Sequence, residues 1–155
     1  MPYRILGLDP QPFLPLFGLP EAELRAHGAL RQRVTEPHAA PDRIELRDAE
    51  PGETVLLLNH CYLDADTPYR GTHAIYVREG ARQRFEAVNT LPEAIRRRLI
   101  SLRAFDAEHM MVDAEVAEGT ALEPLIARFL ADPQVAYLHA HHARRGCYAA
   151  RIERA

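Results

Sequence analysis

The chain has 155 residues, of which 47% are hydrophobic and 26% charged, as in globular proteins and unlike disordered ones. Its net charge of −3 gives no electrostatic reason to expect a nucleic-acid partner, and no apolar run approaches the roughly 20 residues that span a bilayer. Because it has only two cysteines and no signal-peptide pattern, we expect one globular cytoplasmic domain over residues 1–155, with reduced thiols and no membrane partner.

Two residue types are nearly absent, and their absence excludes several chemistries. All 19 cationic side chains are arginine, so there is no lysine for a pyridoxal-phosphate Schiff base or a phosphate-binding P-loop. The single serine, Ser101, lies outside any G-x-S-x-G pattern, which excludes a serine-hydrolase elbow. We therefore expect neither pyridoxal phosphate nor a nucleotide as cofactor.

Hydrophobic periodicity predicts mostly strands up to residue 116 of the chain. Pro20 and Gly28 bracket one short helix, "PEAELRAHG", and "PEAIRRRL" predicts another. Strands are predicted at "YRILGL", "LRQRVTE", "RIELRDA", "TVLLLNH", "THAIYVRE", "LISLRAF" and "MMVDAEV".

The clearest helix is "TALEPLIARFLADP", where Thr120 and Glu123 have capping-box spacing and Asp132-Pro133 ends the pattern. Its apolar stripe consists of Leu122, Leu125, Ile126, Phe129 and Leu130. Strands outnumber helices and mostly follow one another directly. We therefore predict an α+β fold in a single domain, with a largely antiparallel or mixed sheet packed by two or three helices, chiefly by Thr120–Ala131.

A final hairpin, "VAYLHAHH" and "CYAARIER" joined by "ARRG", contains three of the eight histidines. A four-residue loop over 143–146 would pair His142 with Cys147 and His141 with Tyr148. His139 and His141 would then share the face of Ala150 and Ile152. Because that face is the more apolar one, we expect the two histidines to point inward.

Two histidines at i and i+2 of a strand can share a metal ion such as zinc. His73 in "THAIYV" is the best candidate for a third ligand, because it shares a face with Ile75 and Val77. The alternative is that His73, His139 and His141 are structural histidines that bond to backbone, or that they act as acids and bases.

Cys147 is a candidate nucleophile, since His142 would lie opposite it as a base and two arginines are close in sequence. A small buried filler is the alternative for this cysteine. The simplest interpretation of the arginines of "ARRG" is that they are solvated charges at the loop tip, and Arg96–Arg98 are predicted to lie on the solvent-facing side of a helix.

A second polar region lies between two strands in "LLLNHCYLDADTPYRGTHAIYV". Tyr69 and Arg70 with His73 could hold a carboxylate or phosphate, and Asn59 could orient a carbonyl group. Alternatively, Arg70 pairs on the surface with Asp64 or Asp66. We expect this region and the hairpin to be neighbours on one sheet and to share one pocket.

Three segments together resemble the bacterial family described as domain of unknown function 1203: "DAEPGETVLLLNHCYLDADTPYRGTHAIYVRE", "LISLRAFDAEHMMVDAEV" and "ADPQVAYLHAHHARRGCYAARIER". The resemblance covers nearly the whole chain and implies a small bacterial single-domain protein. It implies no activity, cofactor or catalytic residue.

The residues thus predict a small-molecule enzyme or binding protein for an anionic or carbonyl-containing ligand. Its candidate catalytic residues are His73, His139, His141 and Cys147, and its candidate binding residues are Asn59, Tyr69 and Arg70. The alternatives are a non-catalytic interaction protein with structural histidines, and a cysteine-dependent enzyme. Nothing in the sequence indicates an oligomeric state.

Overall fold

The computed structural model describes residues 1–155 and has an α+β fold, as predicted, with two antiparallel sheets and three α-helices. The helices are α1 (Glu21–Ala26), α2 (Glu93–Arg96) and α3 (Leu122–Ala131), and short 3₁₀ turns cover Leu14–Leu16 and Gly119–Ala121. None of the helices has the length and apolarity needed to cross a bilayer.

A large sheet of six strands dominates the fold. Its strands are, in chain order, β1 (Tyr3–Leu6), β5 (Glu86–Val88), β6 (Leu99–Phe105), β7 (Met111–Glu118), β8 (Tyr137–His142) and β9 (Tyr148–Arg154). Their order across the sheet is β5-β1-β9-β8-β6-β7, so the final hairpin lies at its centre. The small sheet has the order β2-β3-β4, with β2 at Leu30–Arg33, β3 at Thr54–Leu63 and β4 at Gly71–Arg78.

Helix α3 covers one face of the large sheet. All five members of its predicted apolar stripe are buried there, against Ile100, Leu102, Leu138 and Ile152 among others. The helix begins at Leu122, two residues later than predicted. Thr120 lies in the preceding 3₁₀ turn and makes no capping bond, so the capping-box prediction is wrong.

The segment "RIELRDA" does not form the predicted strand. Asp42 is buried, and its carboxylate accepts hydrogen bonds from the N–H groups of Glu45 at 2.6 Å and Arg78 at 2.7 Å. Leu46 has a φ of 52°, in the left-handed region, which ends any extended run. These local bonds curl the segment against β4 and bury Arg43.

The hairpin has the predicted four-residue loop, since His142 N–H donates to the Cys147 carbonyl and Gly146 N–H to the His142 carbonyl. His141 opposes Tyr148, also as predicted. A bulge in β9 then shifts the register, so that His139 opposes Arg151 rather than Ala150. The prediction that Ala150 and Ile152 share the face of His139 is therefore wrong. They line the apolar core under α3, and the histidines lie on the other face.

The expectation of one sheet is also wrong, because the two polar regions lie on different sheets that face each other. Tyr62 of β3 stacks on Tyr148 of β9 with ring centroids 6.0 Å apart, and His73 of β4 lies 5.4 Å from His141 of β8. Every residue of β8 is buried, because α3 covers one of its faces and the small sheet covers the other.

Candidate functional site

The main cavity of the protein opens where the edge strand β4 approaches the tip of the final hairpin, and it encloses about 860 Å³. We call it the arginine cavity. It is lined by His38, Ala39, Pro41, Arg43, Leu57, His73, Ala74, Tyr76, Arg97, Arg98, Leu99, Glu118, His142, Arg144, Arg145 and Cys147. It is therefore assembled from segments far apart in the sequence.

The charge of its wall is strongly unbalanced. Five arginines line the cavity, and Glu118 is the only carboxylate among the lining residues. One of the five, Arg98, pairs with Asp48 at 2.7 Å. Arg144 and Arg145 are exposed at the hairpin tip and form no ion pair. The cavity therefore presents uncompensated positive charge to whatever enters it.

Arg43 is the buried member of this group, with only 2% of its surface exposed. Its Nε donates to the Tyr148 carbonyl at 2.7 Å and its Nη1 to the Pro41 carbonyl at 2.5 Å. Its Nη2 donates to the Cys147 sulfur at 3.1 Å. Burial lowers the pKa of Arg43, and the neighbouring Cys147 opposes that shift. No carboxylate forms an ion pair with this guanidinium, and the Cys147 sulfur is its only side-chain hydrogen-bond partner.

His142 lies opposite Cys147 across the hairpin and lines the same cavity. It is 8% exposed, and its Nδ1 is buried without a hydrogen-bond partner. Burial, then the charges of Arg43 and Arg98, lower the pKa of His142 to about 3. Its imidazole is therefore neutral near pH 7 and has an unused polar atom.

A second group of rings lies behind the cavity. We call it the histidine–tyrosine cluster, and it consists of Tyr62, His73, His139, His141 and Tyr148. Tyr62 is at its centre, stacked on His73 at 4.8 Å and edge-on to His141 at 5.0 Å. The three histidines that the sequence singled out thus lie in one cluster. Only His73 among them also lines the cavity.

The buried histidines of this cluster are neutral. Desolvation lowers the pKa of both His139 and His141 to about 3, and it also lowers the pKa of His73. His141 donates from Nδ1 to the Gly146 carbonyl at 2.9 Å, so its Nε2 is an acceptor, and that atom has no partner. The Nδ1 atoms of His139 and His73 also lack partners.

The predicted metal ligands lie near one another without forming a coordination site. No group of three or more His, Cys, Asp or Glu side chains in residues 1–155 is arranged to hold a metal ion. His73 and His141 meet as ring edge against ring face, at an interplanar angle of 81°. Zinc would require the ring nitrogens to converge on one point about 2 Å from each.

The three predicted binding residues, one in β3 and two in the β3–β4 loop, do not line the arginine cavity. Asn59, Tyr69 and Arg70 are all exposed. Arg70 pairs with Asp64 at 2.9 Å, which is the surface alternative that the sequence left open. Tyr69 packs edge-on against Phe105 at 6.2 Å. None of these three residues therefore lines the cavity to which His73 and Cys147 belong.

The arginines of the cavity are the residues that sequence reasoning missed. Arg144 and Arg145 were predicted to lie at a solvated loop tip, and Arg97 and Arg98 on the solvent-facing side of a helix. Arg97, Arg144 and Arg145 are exposed and Arg98 is half-buried. All four line the same cavity. The exclusive use of arginine, and the position of Arg144 and Arg145 beside Cys147, were the available signals. For Arg43, nothing in the sequence marked its contact with a residue 104 positions away.

One family model matches the chain, that of "Protein of unknown function (DUF1203)", over residues 39–154. The match includes the three segments on which the resemblance was based and nearly all of the cavity lining. No curated protein and no solved structure matches the chain.

Proposed function

We propose that this chain, which belongs to the DUF1203 family over residues 39–154, binds a small organic anion in the arginine cavity. The observation that carries the proposal is the set of five arginines facing one carboxylate, with Arg144 and Arg145 free of ion-pair partners. Planar guanidinium groups bind carboxylate and phosphate through paired N–H donors. The resting protein leaves such donors unused at the cavity mouth.

The other lining residues indicate the chemistry of the uncharged part of the ligand. Leu57, Ala74, Tyr76 and Leu99 supply apolar and aromatic surface beside the arginines. A volume near 860 Å³ lies within the range of small-molecule sites, roughly 300–1,000 Å³. The ligand class that fits both features is an acid or phosphate ester with an apolar or aromatic portion.

Two of the predicted catalytic residues, His73 and Cys147, touch this cavity, whereas His139 and His141 lie behind it. We assign binding roles to the arginines and retain His73 as a neutral acceptor for a ligand hydroxyl or amide. His139 and His141 then support the cavity by holding His73 and Tyr148 in place.

The test compares anionic ligands with neutral ligands of the same shape. Phenyl phosphate and phenylacetate, each against its neutral partner (benzyl alcohol and phenylacetamide), would be titrated by calorimetry and thermal shift. We expect binding of the anions only, weakening as salt rises. Removing both tip arginines in Arg144→Ala/Arg145→Ala should weaken binding about tenfold or more, since a charged hydrogen bond contributes about 1.5–3 kcal/mol.

The matched control removes two exposed arginines elsewhere, Arg25→Ala/Arg82→Ala, with the same change in net charge. This control should bind the anions as the wild type does. Equal binding of anionic and neutral ligands, or equal losses in the two double variants, would contradict the proposal.

A further inference from the structure

Cys147 is the one thiol in the arginine cavity, and its surroundings differ from those of the other cysteine. Both cysteines are free. Cys61 is exposed on the small sheet, where its Sγ lies 3.6 Å from the Leu63 carbonyl. Cys147 is half-buried and accepts a hydrogen bond from the buried Arg43 guanidinium at 3.1 Å.

The position of the Arg43 guanidinium is set by the backbone. Two of its nitrogens donate to the Tyr148 and Pro41 carbonyls, and this leaves Nη2 directed at the sulfur. A fixed cation beside a cysteine is the environment in which the thiolate, the nucleophilic form, is found. Cys147 is only half-buried and belongs to the cavity wall.

A second observation points to an incoming group at the same place. His142 is directly opposite Cys147, lines the cavity, and is more than nine-tenths buried, with a side-chain nitrogen that bonds to nothing. Buried polar atoms are normally paired, so an unpaired one marks a place where an ordered water, or a small shift of the ring when a ligand enters, would supply the missing partner. The arginines at the mouth select the charge of that ligand.

We infer that Cys147 is a site of covalent modification by low-molecular-weight disulfides that carry carboxylates. The inference deepens the proposed function, because the arginine cavity supplies the anion selectivity. The Cys147 thiol first releases its proton to solvent. Its thiolate attacks one sulfur of the disulfide, the new S–S bond forms as the old one breaks, and the leaving sulfur takes the electron pair. Cys147 is oxidised to a mixed disulfide, and the departing half of the reagent is reduced to a thiolate.

The test compares disulfides of different charge on each cysteine separately. Cys61→Ser leaves Cys147 as the only thiol, and Cys147→Ser leaves Cys61. Each variant would react with dianionic 5,5′-dithiobis(2-nitrobenzoate), neutral 2,2′-dithiodipyridine and dicationic cystamine, with the adduct identified by mass spectrometry. The quantity compared is the ratio of the anionic rate to the neutral and cationic rates.

We expect this ratio to be about tenfold or more higher at Cys147 than at Cys61, since a charged cleft raises the encounter rate of an opposite charge by that order. The ratio should fall as salt rises, and it should fall in Cys61→Ser/Arg144→Ala/Arg145→Ala. The control Cys61→Ser/Arg25→Ala/Arg82→Ala should keep it.

Equal ratios at the two cysteines, or a folded Cys61→Ser protein in which none of the reagents modifies Cys147, would overturn the inference. Circular dichroism of each variant establishes that it is folded, and no step depends on replacing the buried Arg43. Binding of phenyl phosphate to Cys147→Ser reports on the proposed function alone, because that variant cannot form the adduct. Anion binding without selective thiol reaction would therefore refute this inference and leave the binding site intact.

Discussion

Lowering the pH from 7 to 5 should destabilise the protein strongly, through three buried histidines. Burial lowers the pKa of His139, His141 and His142 to about 3 in the folded protein. In the unfolded chain a histidine has a pKa near 6.5, as in peptides. The unfolded chain therefore takes up protons at a pH where the folded protein does not. The stability contributed by each histidine is complete above about pH 6.5 and is lost as the pH falls toward 3.

The magnitude follows from the size of these shifts. Each histidine contributes a slope of about 1.4 kcal/mol per pH unit once the unfolded form is protonated, or about 2 kcal/mol at pH 5. Three histidines together give about 6 kcal/mol, which is a large share of the 5–15 kcal/mol that stabilises a typical domain. The charges facing them from neighbouring elements, Arg43, Arg98, Arg103 and Arg151, are all positive and act in the same direction.

The buried carboxyl of Asp42 acts in the opposite direction. Burial raises its pKa, so the folded protein binds a proton there before the unfolded chain does, and acid favours the folded state at this one group. It offsets the loss at three histidines only in part, because it is a single group.

Urea denaturation followed by circular dichroism at pH 7, 6 and 5 measures the effect. We expect the free energy of unfolding to fall by about 4 kcal/mol per pH unit between pH 6 and 5. Replacing His139 by Phe keeps an aromatic ring against Phe105 and Tyr137 and should reduce the slope by about a third. The control replaces His27, which is exposed after α1, by Ala and should leave the slope unchanged. A total change below about 1 kcal/mol between pH 7 and 5 would refute the reasoning.

Two further substitutions test the fold that carries the site. Phe129→Ala removes a buried ring between α3 and the large sheet and should lower the free energy of unfolding, measured by urea denaturation, by about 3–5 kcal/mol. The control, Val116→Ala on the exposed edge strand, should lower it by less than about 1 kcal/mol. Asp42→Ala removes the acceptor for the N–H groups of Glu45 and Arg78 and should lower the free energy of unfolding by about 2–4 kcal/mol. The same change should weaken anion binding, because it displaces the neighbouring Arg43. If Asp42→Ala binds phenyl phosphate like the wild type, the curled segment does not position the cavity.

Local patterns in the sequence correctly predicted the features that depend on local interactions. The apolar stripe of α3 is buried as its spacing indicated, and the antiparallel α+β class is confirmed. The four-residue loop follows from its Gly and polar residues, and it places His142 opposite Cys147. The bulge in β9 was not predicted, because no Gly or Pro in this strand marks it.

The composition of the site could be predicted only in part. The sequence grouped His73 with His139 and His141 in one pocket, and the structure places all three around Tyr62, with only His73 on the cavity wall. Cys147 was a separate candidate on the other face of the hairpin, and it lines the cavity. Asn59, Tyr69 and Arg70 were expected in the pocket of His73 and do not line the cavity. In the β3–β4 loop Arg70 pairs with Asp64 and Tyr69 packs against Phe105, and Asn59 of β3 is exposed. Short-range sequence patterns cannot report which way a loop leaves its sheet.

The sequence by itself determined that no lysine and a single serine are available, where the helices and most strands lie, and which residues oppose each other at the hairpin tip. Only the tertiary structure decided that arginines from three separate segments line one cavity, and that Arg43 contacts Cys147, a residue 104 positions away in the sequence. The physical reason is that periodicity and turn chemistry act over a few residues. The charge of a cavity depends on segments brought together by the burial of apolar surface elsewhere.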